Sequence, residues 1–91
     1  MRSCSPRQAQ SFDCRYAATP NEITICSNAR LGALDERMSR LYFRLRSRLF
    51  GPDGVRFERS QAAWLRARAR CGGNRFCLES AYLDRIAELS P

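Results

Sequence analysis

The sequence predicts an all-α fold, a small disulfide-stapled bundle of one short and three longer helices. Two observations support this prediction. Apolar residues recur at spacings of three and four in two segments and at a spacing of seven in a third (Phe57, Trp64 and Cys71), and residues that start or stop helices separate those segments. No segment shows the strict apolar–polar alternation of a β-strand. The chain of 91 residues is long enough for one domain with a modest core, to which covalent cross-links add stability.

The short helix is predicted from "TPNE", residues 19–22. Thr19 can cap the helix, Pro20 suits its first position, and Glu22 can complete a capping box. We expect this helix to end near Cys26. Residues 1–11 lack periodicity and are interpreted as a flexible N-terminal arm, so the folded domain is predicted to span residues 12–91.

The three longer helices are predicted from their apolar stripes and their breakers. Ser27 or Asn28 can cap the first of them, and "GPDG" at residues 51–54 is expected to stop it. The next is expected from near Asp53 to Arg70, antiparallel to the first across that turn. Asn74 can cap the last. The stripe of the first comprises Leu31, Leu34, Met38, Leu41, Leu45 and Leu49, and that of the last comprises Leu78, Tyr82, Ile86 and Leu89.

Four of the five cysteines are interpreted as two disulfides. Cys14 and Cys26 bracket the short helix, and Cys71 and Cys77 flank the "GGN" turn. Neither spacing fits the short knuckles of a structural zinc site, and no CxxC redox motif occurs, so no metal or other cofactor is expected. Four cysteines allow three pairings, and bridges that cross between the two regions stay open. Cys4 is the odd one, either free, paired between molecules, or close to a lost lipidation or processing point.

The cysteine content suggests an oxidising compartment, so we expect a periplasmic or secreted protein. The polar start of the chain is no signal peptide, and the export signal is therefore expected to have been removed, with Met1 marking a trimmed start. No apolar run is long enough to cross a bilayer. The chain has no histidine and no recognisable nucleophile–base or carboxylate pair, so we predict that it is not an enzyme.

The formal charge of +7 comes from sixteen arginines and no lysine, and it favours an anionic partner. Two rows of arginines at helical spacing could merge into one basic face if the two central helices are neighbours. An alternative is a solvated surface partly paired with Asp35, Glu36 and Glu58. Nucleic acid is disfavoured because no recognition motif accompanies the arginines. The rows comprise Arg37, Arg44 and Arg48 on one helix and Arg59, Arg66 and Arg70 on the next.

Five stretches follow one another along about residues 12 to 89: "FDC", "TPNEITIC", "LGALDERMSRLY", "QAAWLRARARC" and "CLESAYLDRIAEL". In that order they resemble the N-terminal domain of the LprI-type lysozyme inhibitors, a family of small secreted or lipid-anchored bacterial envelope domains. The resemblance implies an extracytoplasmic helical domain that can inhibit lysozyme. Within the family pattern, Asp35 is interpreted as a structural carboxylate paired with an arginine such as Arg85, and Trp64 as a core residue.

Lysozyme inhibition is accordingly the most specific function predicted, through binding to a protein partner. An inhibitor must occupy a cleft that holds two catalytic carboxylates, and an arginine on a rigid loop can pair with them. Arg75, in the "CGGNRFC" loop, is the candidate for this contact, although it can equally be a solvated residue at a helix start. The alternative function is a cationic envelope module without inhibitory activity, whose arginine face binds an acidic protein, polymer or membrane surface.

Overall fold

A computed structural model describes residues 12–91, and these form a bundle of four α-helices. The helices are α1 (Pro20–Cys26), α2 (Ala29–Arg46), α3 (Gly51–Ala69) and α4 (Arg75–Leu89), preceded by a 3-10 turn at Cys14–Tyr16. The prediction of an all-α fold with one short and three longer helices is confirmed. The predicted arm and Cys4 lie outside the described residues.

Three helices begin at the residues that the sequence indicated. The Thr19 hydroxyl accepts from the Glu22 amide, and the Glu22 carboxylate accepts from the Thr19 amide, which completes the capping box of α1. Asn28 caps α2 by accepting from the Leu31 amide at 3.1 Å. Asn74 caps α4 in the same way. These side chains satisfy amides that have no partner within the helix.

The boundary between α2 and α3 differs from the prediction. The helix α2 ends at Arg46, and "GPDG" is the first turn of α3. Gly51 has a φ of 60°, a conformation that glycine adopts without strain. Pro52 is tolerated in a first helical turn because its missing amide proton would have no acceptor there. The breakers therefore start a helix here, and residues 47–50 form the connection.

The helix α2 packs most extensively against α4, which runs parallel to it. Arg30 pairs with Glu79 near the starts of both helices, and Leu45 and Leu89 line one groove near their ends. The helix α3 is antiparallel to α2, as predicted, and the two rings of Tyr42 and Phe57 stack with centroids 5.0 Å apart. The sequence did not predict that α4 is the main partner of α2.

The core lies between α1, α2 and α4. Each buried aliphatic side chain stabilises the fold by roughly 1.5–3 kcal/mol relative to leaving it exposed. The buried hydrophobic residues are Ile25, Leu31, Leu34, Met38, Leu78, Tyr82, Ile86 and Leu89.

No helix among residues 12–91 combines the length and apolar character that crossing a membrane requires.

The bundle has two different ends, about 27 Å apart along the 18 residues of α2. The stapled end comprises α1, the start of α2 and the loop from Cys71 to Cys77. The turn end comprises the last turns of α2, residues 47–50 and the first turns of α3.

Candidate protein-binding surface at the stapled end

The loop between α3 and α4 is closed by a disulfide. Cys71 and Cys77 are bonded, with their Cα atoms 5.5 Å apart. Gly72 has a φ of 57°, which allows the chain to reverse in the left-handed region. The Asn74 side chain accepts from the amides of Phe76 and Cys77, both at 3.0 Å. A covalent bond and a helix cap therefore fix the same short loop.

The helix α1 holds this loop from one side. The Asn21 amide donates to the Gly72 carbonyl at 3.0 Å, and the Thr24 hydroxyl donates to the Gly73 carbonyl at 3.2 Å. A second disulfide, Cys14–Cys26, with Cα atoms 5.7 Å apart, ties the 3-10 turn to the end of α1. Both disulfides thus join cysteines close in sequence, and both lie at the stapled end.

Arg75 and Phe76 project from the stapled loop into solvent. Phe76 is 70% exposed, and the Arg75 guanidinium lies over its ring, 5.1 Å from the centroid. Beside them is a shallow hollow of about 160 Å³ whose wall includes Asn28. Arg30 also borders this hollow but is paired with Glu79. Arg75 forms no ion pair with another residue in the range 12–91, so its charge is available to a partner.

A buried polar cluster beneath the loop joins all four helices with one residue from each. The Tyr82 hydroxyl donates to Asp35 Oδ1 at 2.7 Å, and Arg68 lies 3.6 Å from the same oxygen. Arg68 also donates to the Tyr82 hydroxyl at 3.1 Å and, through Nε, to Asn21 Oδ1 at 2.8 Å. Because Asn21 also binds the loop carbonyl of Gly72, the cluster connects the core to the stapled loop.

Electrostatics within this cluster keep Tyr82 protonated. Burial raises the pKa of Tyr82 far above the ordinary value for a phenol, and the neighbouring Asp35 carboxylate raises it further. The hydroxyl therefore serves as a hydrogen-bond donor to Asp35 at any physiological pH. Its chemical role is structural.

The structure pairs Asp35 with Arg68 of α3, where the sequence suggested Arg85 of α4. Arg85 is buried as well, but its guanidinium donates to Gln61 Oε1, Ser60 Oγ and Glu88 Oε1, each at 3.1 Å. The reason lies in helix register. Because α4 runs parallel to α2, Tyr82 lies opposite Asp35, and Arg85 is almost one turn further along.

Trp64 lies half-buried between α3 and α4. Its indole nitrogen donates to the Ala81 carbonyl at 3.1 Å, and its ring packs against Tyr82 with centroids 5.2 Å apart. A tryptophan with its polar atom satisfied inside the bundle stabilises helix packing.

The arginine row of α2 points away from α3. Two residues of α2 face α3: Tyr42 stacks on the Phe57 ring, and Arg46 pairs with the Glu58 carboxylate. Successive helix residues are rotated by about 100°, so Arg44 lies roughly 160° around the helix from both of them. Arg44 and Arg48 instead border a groove against the end of α4, and Arg37 lies exposed on the same side.

The arginine row of α3 faces solvent on the opposite side of its helix from the buried residues Gln61 and Arg68. The two rows therefore do not merge into one basic face. Helix periodicity placed each row correctly on its own helix, but it carries no information about how each helix is rotated in the bundle. This row comprises Arg59, Arg66 and Arg70, all exposed.

No role was predicted from the sequence for Asn21 or Arg68, which carry the polar cluster. One signal could have identified Arg68. It lies seven residues after Gln61 and four after Trp64, on the inward stripe of α3, where a charged residue must find a partner. Asn21 gave no such signal, because one polar residue in a seven-residue helix does not define a face.

Among residues 12–91, no group of three histidine, cysteine or acidic side chains could hold a metal ion. The most buried carboxylate, Asp35, is engaged by Arg68 and Tyr82. The stapled end offers to solvent a rigid loop with Arg75 and Phe76, and it also exposes Tyr16 of the 3-10 turn and Ile23 of α1.

These features define a small, disulfide-bonded, all-α domain. The family model described as "Lysozyme inhibitor LprI" matches residues 14–89, so the chain belongs to the LprI family. The match runs from the first cysteine of one disulfide to the last residue of α4 and confirms the resemblance seen in the sequence. Neither a curated protein nor a solved structure gave a significant match.

Proposed function

We propose that this chain is a lysozyme inhibitor that acts outside the cytoplasm by binding, without catalysis of its own. The observation that carries the proposal is the match of the lysozyme inhibitor family over residues 14–89, which includes both disulfides. Two disulfides in so short a chain suit an oxidising compartment such as the periplasm or the cell exterior.

The inhibitory contact is assigned to Arg75 and Phe76 of the stapled loop. A lysozyme cleft contains two carboxylates that do acid and nucleophile chemistry, and a guanidinium can pair with a carboxylate through two hydrogen bonds. The disulfide, the Asn74 cap and the bonds from α1 hold this loop in place before binding. A preorganised loop loses little conformational entropy when it binds. The exposed Phe76 ring adds apolar area beside the cation.

The distribution of charge also favours the stapled end as the contact with a basic lysozyme. The whole chain is strongly positive. At the stapled end, however, Asp13 pairs with Arg15, and Glu79 pairs with Arg30. Glu22 adds a further negative charge there. Repulsion at short range is therefore weaker at this end than over the rest of the surface.

The experiment is a cell-wall turbidity assay in which oxidised protein is titrated against a chicken-type lysozyme. We expect saturable inhibition that is lost on reduction, and Arg75→Ala should weaken inhibition by at least tenfold. Arg59→Ala, an equal loss of charge on the outer side of α3, should leave inhibition intact.

Absence of inhibition at a large molar excess would overturn the proposal for this class of lysozyme. It would favour the alternative function, a cationic envelope module that binds an acidic partner. Equal losses for Arg75→Ala and Arg59→Ala would instead show that inhibition depends on net charge and would remove the assignment to Arg75.

A further inference from the structure

The turn end exposes large apolar side chains. Phe50, in the connection before α3, is 80% exposed, Phe43 in the last turns of α2 is 58% exposed, and Val55 in α3 is 45% exposed. The stapled end exposes Tyr16, Ile23 and Phe76 to a similar degree, so the apolar side chains of the turn end carry an argument only together with its charge.

The same end carries most of the excess positive charge. Residues 40–59 contain six arginines but only two acidic residues, Asp53 and Glu58. Two of the arginines are engaged locally. Arg46 pairs with Glu58 and donates to the Leu49 carbonyl, and Arg56 pairs with Asp53. The other four form no ion pair with any residue of the described range. They are Arg40, Arg44, Arg48 and Arg59.

A groove at this end combines both properties. It has a volume of about 320 Å³ and lies between the ends of α2 and α4. Leu41, Leu45 and Leu89 supply apolar surface, while Arg44 and Arg48 supply charge. Glu88 also borders it but pairs with Arg85. An apolar floor beside two cations suits a molecule with an anionic head and an apolar body.

We propose that the turn end docks on an anionic phospholipid membrane. Phe50 enters the boundary between headgroups and acyl chains, and Arg44 and Arg48 contact lipid phosphates. A basic surface with exposed apolar side chains has the two attractions that hold proteins at such interfaces, burial of apolar area and attraction to anionic lipids. A soluble acidic polymer would engage the arginines but would leave Phe50 and Phe43 in water.

Docking in this way would leave the stapled loop accessible. The loop lies at the other end of α2, about 27 Å from the turn end, and would point away from the membrane. The inference does not depend on lysozyme inhibition, because it concerns a different end of the molecule and a different partner.

The test is co-sedimentation of the oxidised full chain with vesicles. We expect binding to mixed phosphatidylglycerol–phosphatidylcholine vesicles, weakening as salt rises, and none to pure phosphatidylcholine. Arg44→Gln with Arg48→Gln should lower the affinity by roughly fivefold per arginine. The matched control is Arg66→Gln with Arg70→Gln, which removes the same charge from α3 and should have a clearly smaller effect.

A second measurement tests insertion of Phe50 directly. Phe50→Trp should show a blue shift in fluorescence with anionic vesicles that is absent from the parent protein, whose Trp64 is half-buried and bonded to the Ala81 carbonyl of α4. Phe50→Ala should weaken vesicle binding, while folding should be unaffected because the side chain is exposed. The proposal is overturned by absence of binding to anionic vesicles, by equal effects of the two double variants, or by a Phe50→Trp spectrum that does not change.

Discussion

Asp35 is fully buried, and its carboxylate lies in the same buried cluster as the Arg68 guanidinium. A carboxylate and a guanidinium in the same buried cluster stabilise each other, and loss of one removes the opposite charge that the other has within the cluster. Asp35→Asn should therefore lower the free energy of unfolding by about 3–5 kcal/mol, measured by urea denaturation of the oxidised protein. Asparagine has nearly the same shape as aspartate, so the loss of the negative charge is the main change.

Tyr82→Phe is the matched control for the cluster. It removes only the hydroxyl that bonds both Asp35 and Arg68. The free energy of unfolding should fall by about 1–3 kcal/mol, because the ion pair persists. A smaller loss for Asp35→Asn than for Tyr82→Phe would show that the charge of Asp35 contributes little to stability.

Glu22 makes the stability of α1 dependent on pH. Hydrogen bonds from the amides of Ala18 and Thr19 hold the pKa of Glu22 below its ordinary value of about 4.5. A carboxyl group with a lowered folded pKa contributes stability that is present above its unfolded pKa and is lost as pH falls through the folded pKa. Glu22→Gln should therefore lower Tm at neutral pH, and this difference should shrink as pH falls below about 4.5.

Asp13 serves as the internal control for this experiment. It is a second carboxyl group with a lowered pKa, which hydrogen bonds from Arg15 hold down. Asp13 remains in Glu22→Gln, and its own lowered pKa also makes stability fall in acid, so the variant should keep part of the acid sensitivity. A Tm difference that stays constant from neutral to acidic pH would contradict the assignment to Glu22.

At the scale of elements, the two disulfides should differ in their effect on stability. On the chain-entropy model, the Cys14–Cys26 loop is worth about 3 kcal/mol and the shorter Cys71–Cys77 loop about 2 kcal/mol. Replacement of each pair by serine, followed by urea denaturation, tests this order. The Cys71–Cys77 variant should remain folded, because Asn21 and Thr24 still hold the loop carbonyls. Unfolding of that variant under native conditions would show that these hydrogen bonds depend on the disulfide.

The helices could be predicted because their signals are local. Thr19, Asn28 and Asn74 each act on amides within three residues, and the apolar stripes of α2 and α4 follow from periodicity alone. The one boundary that was wrong, "GPDG", contains residues that suit both a helix stop and a helix start. Pro52 can occupy a first turn as well as follow a last one, so local chemistry does not decide between the two.

The relative placement of the helices could not be predicted from the same signals. Whether Asp35 meets Arg68 or Arg85 depends on the direction and register of α4 against α2, and both arginines are compatible with the spacing. The same limit applies to the arginine rows. The position of each row on its own helix follows from the sequence. That the two rows face different sides of the bundle depends on the rotation of α2 and α3 about their own axes.

At the scale of the whole molecule, the two ends differ in charge more than in exposed apolar surface. The turn end has unpaired arginines and Phe50, whereas most charges at the stapled end are paired or opposed. A +7 molecule should associate slowly with a basic lysozyme at low salt, because like charges repel at long range. Added salt should raise that association rate while it weakens binding to anionic vesicles.

One double variant should move the two proposed interactions in opposite directions. Arg44→Glu with Arg48→Glu reverses two exposed charges at the turn end and leaves the stapled loop unchanged. We expect vesicle binding to be lost, since the groove would repel phosphates. We also expect association with a basic lysozyme to become several-fold faster at low salt, with a dissociation rate like that of the parent, because charges outside a contact act mainly on encounter. Stopped-flow mixing with lysozyme and vesicle co-sedimentation measure the two effects on the same preparation. A faster dissociation from lysozyme would place the turn end within the inhibitory contact and contradict the assignment of separate partners to the two ends.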